Sequence, residues 1–330
     1  MKYCHTPAAM LFAILMLHSC SEEGVLSGDK VSGDSPILLS ADRVTPFTRS
    51  YVPQGMHDNF KVYAVSEHGG ERTTAIDGYE VKFKGDDWNY VTDTQHLIYW
   101  NSNADRYLFT AGAPISAVTA ISETSMALQL TNNNTASAMA SEPLSVKQDS
   151  PDFGKLVRLR FAYAHSMVRV AFTKTATTDV TITDITLTPD APIATEANMT
   201  YSYDWSTTPA QATTQLTTTA TSASPLVYDE VTIPSSTTSV TLSETHHYCV
   251  PSAANPTGWT VTLTCDGETK SASFANDHTW ESGKSYTYIF SLTNKTPKLV
   301  SVVTQDLQDA YFDCNDILPG GDFSDTDMTE

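Results

Sequence analysis

Apolar residues fall at every second position over short stretches of this chain, and clusters of turn residues end each stretch. A strand sends alternate side chains to opposite faces, so a period of two describes strands with one buried and one wetted face. Short runs of this kind, punctuated by Gly, Asn, Asp and Pro, are the pattern of an all-β sandwich protein. In the first half the expected strands are 37–43, 60–66, 79–84, 96–100, 106–113, 126–130 and 144–148. In the second half they are 156–174, 181–188, 199–205, 226–233, 239–250, 259–265, 269–274, 286–292 and 299–305. Thr and Ser are abundant and charged residues make up only 17%, a composition of β-rich exported proteins.

One long run changes phase. Val157, Leu159, Phe161 and Tyr163 are apolar at odd positions, whereas Val168, Val170 and Phe172 are apolar at even ones. A one-residue change of phase moves the core face to the other side, so a bulge or crossover is expected near His165-Ser166, with His165 a structural residue at the kink. Residues 207–224 are a Thr/Ala/Ser run without apolar period and are expected to form an exposed loop. Asp149-Ser150-Pro151-Asp152 has the composition of a link between domains.

The N-terminus carries an export signal. Lys2 and His5 precede an apolar run at 8–17, ten residues long and too short to span a bilayer. The run ends in Leu17-His18-Ser19-Cys20, which resembles the lipobox of bacterial lipoproteins. The last position must be a thiol because sulfur carries diacylglycerol, and the freed amine then takes a further acyl chain such as palmitate. Two or more chains anchor stably where one does not. Cys20 is the expected lipidation site, and the alternative is a plain secretory signal with an incidental cysteine. Ser21-Glu22-Glu23-Gly24 resembles the acidic surface-export signal of Bacteroidetes-type bacteria, or is an ordinary solvated tether. The expected segments are a signal peptide 1–19, an acidic tether 20–35, an N-terminal sandwich 36–152, a C-terminal sandwich 153–312 and an acidic tail 313–330.

Composition excludes several function classes. A formal charge of −19 argues against nucleic-acid partners, which need a basic surface, and against lying on anionic lipid. The chain has no His-Glu-x-x-His, Gly-x-Ser-x-Gly, P-loop or Gly-x-Gly-x-x-Gly motif, so no catalytic residue and no cofactor are expected. His246 and His247 are adjacent and would point to opposite faces of a strand, a poor arrangement for one metal. No Cys-x-x-Cys pair exists, so no structural zinc site, and no metal site of any kind, is expected. Of the cysteines beyond Cys20, Cys249 and Cys265 flank a turn containing Pro251 and Gly258. They are candidates for a disulfide between neighbouring strands, which strand geometry could equally forbid. Trp88, Trp100, Trp205, Trp259 and Trp280 are scattered, and a sugar-stacking platform would need two or three on one face.

The order of several segments resembles the fimbrillin-like pilus proteins of Bacteroidetes. After the lipobox come Ile37-Leu38-Leu39-Ser40-Ala41, an arginine-containing loop through Thr48-Arg49, and Phe60-Lys61-Val62-Tyr63-Ala64. Ile98-Tyr99-Trp100 with Tyr107-Leu108-Phe109-Thr110-Ala111, then His165-Ser166 with Val168–Phe172, Tyr248-Cys249-Val250-Pro251 and Gly283-Lys284-Ser285-Tyr286 continue it. Cys249, Cys265 and the acidic tail depart from the pattern.

The resemblance implies two tandem transthyretin-like β-sandwich domains and a structural or accessory subunit of a cell-surface fimbria. It implies lipid anchoring at the outer membrane, proteolytic processing after an arginine, and assembly with other fimbrial subunits by β-strand exchange. By position Arg49 is the first candidate for cleavage and Arg43 the second. The implied donor strand carries Leu299, Val300, Val302 and Val303, or else these form a permanent last strand. Shaft, tip and anchor roles stay open, and host or bacterial surface ligands are further candidate partners. The competing reading is a surface glycan-binding lipoprotein of a nutrient-uptake system, which predicts clustered exposed aromatics.

Overall fold

Strands account for nearly all the regular structure, as the period-two pattern requires. The structure, a computed structural model of the 330-residue chain, describes residues 35–43, 59–84, 87–91, 95–174, 177–235, 240–252 and 255–307. Cys20, Arg49, the signal peptide, most of the tether and the tail 313–330 lie outside the described residues.

The largest sheet contains β1 (Leu39–Arg43), β2 (Asn59–His68), β3 (Glu71–Lys84), β4 (Asp87–Tyr90), β5 (Arg106–Ala113), β8 (Met139–Ser141), β9 (Leu144–Lys147) and β10 (Val157–Tyr163). Their order is β1-β10-β8-β5-β2-β3-β4, with β9 also on β5. Both faces of this sheet are buried. On β2, Phe60, Val62 and Ala64 enter one core, and Tyr63 and Val65 face another. β5 divides the same way, with Tyr107, Phe109 and Ala111 on the first side and Leu108 on the second. The sheet curls until its ends meet, where the Tyr90 hydroxyl donates to the Ile37 carbonyl at 3.2 Å.

A second sheet covers the other face, in the order β14-β13-β7-β6. It is built from β6 (Val118–Ile121), β7 (Ser125–Thr131), β13 (Ile193–Asp204) and β14 (Gln211–Ser222). Gly112 permits the close approach, because a Cβ there would lie 2.7 Å from Met126 Sδ and 2.8 Å from Val118 Cγ2. The Arg106 guanidinium holds both oxygens of Glu67 at 2.8 and 2.9 Å, and also donates to the Trp205 carbonyl at 3.1 Å. Arg72 joins Glu67 to Glu123, and Trp205 Nε1 donates to the Glu123 carbonyl at 2.8 Å. The network ties the two sheets together at this end. The Arg106 bonds hold the Glu67 carboxyl below its usual range.

The remaining strands form two five-stranded sheets around a separate core. One holds β11 (Ser166–Lys174), β17 (Thr241–Leu242), β18 (His247–Cys249), β21 (Lys284–Thr293) and β22 (Thr296–Asp306). The other holds β12 (Val180–Pro189), β15 (Leu226–Tyr228), β16 (Val231–Ile233), β19 (Gly258–Cys265) and β20 (Glu268–Ala275). Val170, Phe172, Tyr288 and Phe290 of the first sheet pack with Ile182, Leu187, Val261 and Leu263 of the second.

The phase change at 156–174 is a crossover between these cores. Val157, Leu159 and Phe161 fill the first core, and Val168, Val170 and Phe172 fill the second. His165 sits at the crossing, buried to 2% exposure. Its Nδ1 accepts from the Ala138 N–H at 3.1 Å, and its carbonyl accepts from the Gly283 N–H at 2.9 Å. Nε2 is buried and makes no well-formed hydrogen bond among the described residues. Burial lowers the imidazole pKa from 6.5 to about 4, so the ring is neutral near pH 7.

Three expectations are corrected. Residues 211–222 are a strand, β14, rather than a loop. Its alternation is missing because it is a largely exposed edge strand, and its backbone pairs with β13 along nearly its whole length. The border between 36–152 and 153–312 does not follow sheet membership. β10 lies in the sheet of first-half strands, and the β13–β14 hairpin pairs with β7. Cys249 and Cys265 are buried free thiols. They are not on neighbouring strands, since β18 and β19 belong to facing sheets. Cys265 lies at the far end of β19 from Trp259, which packs on Trp280. Six residue steps along the strand, roughly 20 Å, separate Cys265 from Trp259.

Candidate functional site

The edge formed by β1 is held from two sides by different means. Its C-terminal part pairs parallel with β10, matching Leu39 to Val157, Ala41 to Leu159 and Arg43 to Phe161. Just before it, Pro36 bridges Tyr99 in the antiparallel sense, and the Ile37 N–H donates to the Ile98 carbonyl at 2.7 Å. The expected strand at 96–100 is therefore an extended segment held by this bridge. The Val157 N–H donates to the Leu38 carbonyl at 2.9 Å, so the backbone is engaged on both edges. Burial pushes the Tyr90 hydroxyl up to about 12, which keeps it a donor to Ile37 at ordinary pH.

Alternation along the segment divides its side chains. Ile37 is 0% and Leu39 6% exposed, while Leu38 between them is 51% exposed. Ala41 packs at the margin of the core. Ile37 and Leu39 belong to the same core as an aromatic cluster in which the Trp100 ring lies 4.7 Å from Phe153 and 4.9 Å from Tyr107. Ser40 Oγ is buried and has no hydrogen-bond partner among the described residues. Leu97, Tyr99 and Leu156 join Leu38 as exposed large apolar residues. They belong to the segments that flank β1 on either side, so apolar surface gathers at this edge.

The C-terminal strand is held quite differently. β22 forms an antiparallel hairpin with β21 through Asn294-Lys295, both at positive φ, and is the last strand of its sheet. Ser301 pairs with Ile289 and Leu299 with Phe290, so Val300 is an extra residue, a β-bulge. The bulge explains the doublets Leu299-Val300 and Val302-Val303. Leu299 and Val302 both reach the second core, whereas Val300 is 36% exposed. Just beyond the strand, Leu307 is fully buried in the first core, and its N–H donates to the Gly283 carbonyl at 2.7 Å. Sequence reasoning missed Leu307, although a lone leucine directly after a strand was the available signal.

Arg43 closes β1 by its backbone pairing with Phe161. Arg49 and Cys20 lie outside the described residues, so the three processing positions are not brought together here. Among the described residues no group of three His, Cys, Asp or Glu side chains could hold a metal ion. Trp100, Trp205, Trp259 and Trp280 are all at least 95% buried, which removes them from any sugar-stacking platform. One surface cleft, between residues 143–150 and 207–210, has no aromatic lining, and a second near Asn132 and Glu196 has only His247.

Stacked antiparallel sheets with an edge strand seated in a slot define the class, an all-β sandwich protein. The fimbrillin-like family model matches residues 48–306, and the chain belongs to that family. Family membership makes it a fimbrial protein of the cell surface and not an enzyme. A solved structure of a candidate cell adhesion protein from Bacteroides uniformis is similar at TM-score 0.52 and 14% identity, covering 83% of this chain and 100% of that one. That likeness shows the fold. A candidate cell adhesion protein from Bacteroides ovatus gives TM-score 0.48 at 13% identity, with 82% and 96% coverage. The fimbrial anchor protein Mfa2 from Porphyromonas gingivalis gives 0.34 at 11% identity, with 82% and 97% coverage. No curated protein sequence matches the chain.

Proposed function

We propose that this chain is a fimbrial subunit or accessory protein delivered to the outer membrane as a lipoprotein on Cys20 and assembled by β-strand exchange. The observation that carries the reading is the β1 edge. Its strand is short and parallel, it is anchored by Ile37 and Leu39, and candidate cleavage sites follow at Arg43 and Arg49. Cutting after either arginine severs the lipid-bearing segment and β1 from the body of the chain. Loss of β1 opens a slot with unpaired backbone and two empty apolar sockets, and an incoming strand gains both. β22 of another subunit is the donor in this reading.

N-terminal sequencing of protein sheared from cells tests it. A chain beginning at Ser50 or Val44 and found in polymers supports a shaft subunit. Protein beginning only at acylated Cys20, in uncut form, makes it an anchor. A mature N-terminus at any other residue, with no acyl group, defeats the lipoprotein reading.

A further inference from the structure

The geometry points to one register for the incoming strand, in which Val300 and Val302 of a second copy occupy the sockets of Ile37 and Leu39. The inference rests on the strand-exchange reading and goes on to name the residues that set its specificity.

The slot imposes three conditions, all visible in how β1 fills it. The first position must be apolar and must donate a backbone N–H, because Ile37 is fully buried and bonds the Ile98 carbonyl at 2.7 Å. The position two residues on must be apolar, because Leu39 is 6% exposed. The position after that takes a small side chain, as Ala41 does at the margin of the core.

Keeping the parallel direction of β1, each register of β22 can be tried in turn. Starting at Pro297 places an imino acid where the N–H is needed. Starting at Lys298 buries an ammonium in the Ile37 socket. Starting at Leu299 puts Ser301 into the Leu39 socket, which leaves both a cavity and an unpaired hydroxyl. Ser301 at the first position fails for the same reason, and starting at Val302 puts Thr304 in the second socket. Only Val300 supplies an apolar N–H donor, a second apolar residue at Val302 and the modest Thr304 at the third place.

Two further positions fit this register. Ser301 replaces Leu38, which is 51% exposed, so an exposed leucine becomes a polar residue. Val303 replaces Ser40, whose buried hydroxyl has no partner among the described residues. The register thus removes an unsatisfied polar atom that β1 leaves in place. It also requires the strand to lose its bulge. Within its own subunit β22 points Leu299 and Val302 into one core, and straightening the strand brings Val300 and Val302 onto one face instead.

The test uses the full chain cut by an arginine-specific protease and a fluorescent peptide of residues 298–307. Binding is read by anisotropy. Peptide variants avoid any folding defect in the protein. The wild-type peptide is expected to be captured, V300S and V302S to bind at least tenfold more weakly, and L299S to stay within threefold. Greater sensitivity at Leu299 than at Val300 and Val302 overturns the register while leaving strand exchange standing. Failure of the cut chain to capture any peptide overturns strand exchange itself.

Discussion

β1 and β22 are both edge strands, and they are held in opposite ways. β22 forms ten Cα pairs with its neighbour in sequence through a two-residue turn, whereas β1 forms five parallel pairs with a strand more than a hundred residues away. A hairpin closes locally and reforms quickly, while a parallel pair must first close a long loop. β22 spreads its anchorage along half-buried side chains, and β1 concentrates it in Ile37 and Leu39. A strand whose side-chain anchorage is concentrated in two residues can, in the proposed reading, be removed as a unit once the chain is cut at Arg43 or Arg49. A strand held along its whole length can leave only through exchange of one ladder for another.

Four measurements sharpen or break this contrast. The largest effect is expected at the aromatic cluster of the core that Ile37 and Leu39 share. Trp100→Ala should cost roughly 4 kcal/mol in urea unfolding and should expose the β1 amides to hydrogen exchange, leaving those of β22 protected. Equal loss of protection in both strands would mean that the slot and the hairpin are one cooperative unit.

Acid comes next. The His165 pKa falls to about 4 in the folded chain, from 6.5. A depressed histidine contributes stability fully present above 6.5 and lost as pH falls through about 4, here roughly 3 kcal/mol. His165→Gln should flatten stability between pH 6.5 and 4. Because the His165 carbonyl holds Gly283, which in turn holds Leu307, acid should loosen the end of β22 before it loosens β1. Loosening of β1 first would place the junction on the other strand.

Leu39→Ala and Leu299→Ala compare the two strands directly. The first empties a buried socket and should cost about 2–3 kcal/mol, the second about 1 kcal/mol because Leu299 is only partly buried. Urea midpoints at a common m-value give the comparison, and equal costs would remove the claim of concentrated anchorage. The smallest effect is a control at Val227, 56% exposed on β15, where Val227→Ser should change stability by less than about 0.5 kcal/mol.

Much of the architecture was legible because burial on one face leaves a period of two in the sequence. Strands such as β5, β10 and β19 sit within a residue or two of their expected places. The phase change at His165 was visible for the same reason, since moving between cores reverses the buried face. β14 was not legible, because an exposed edge strand bears no alternation and its order comes from hydrogen bonds to β13. The bulge at Val300 left its mark as two apolar doublets, although only the pairing with β21 shows which residue is extra.

By itself the sequence determined the strand content, the phase change at His165 and the positions of Cys20, Arg43 and Arg49. These are local properties, written in residue type and spacing. The tertiary structure decided which strands share a sheet. It placed β1 beside β10, carried the β13–β14 hairpin across to β7, put Cys249 and Cys265 on facing sheets and buried Leu307 in the first core. Pairing between distant segments depends on the shape of the whole core, and no period in a single strand records its partner.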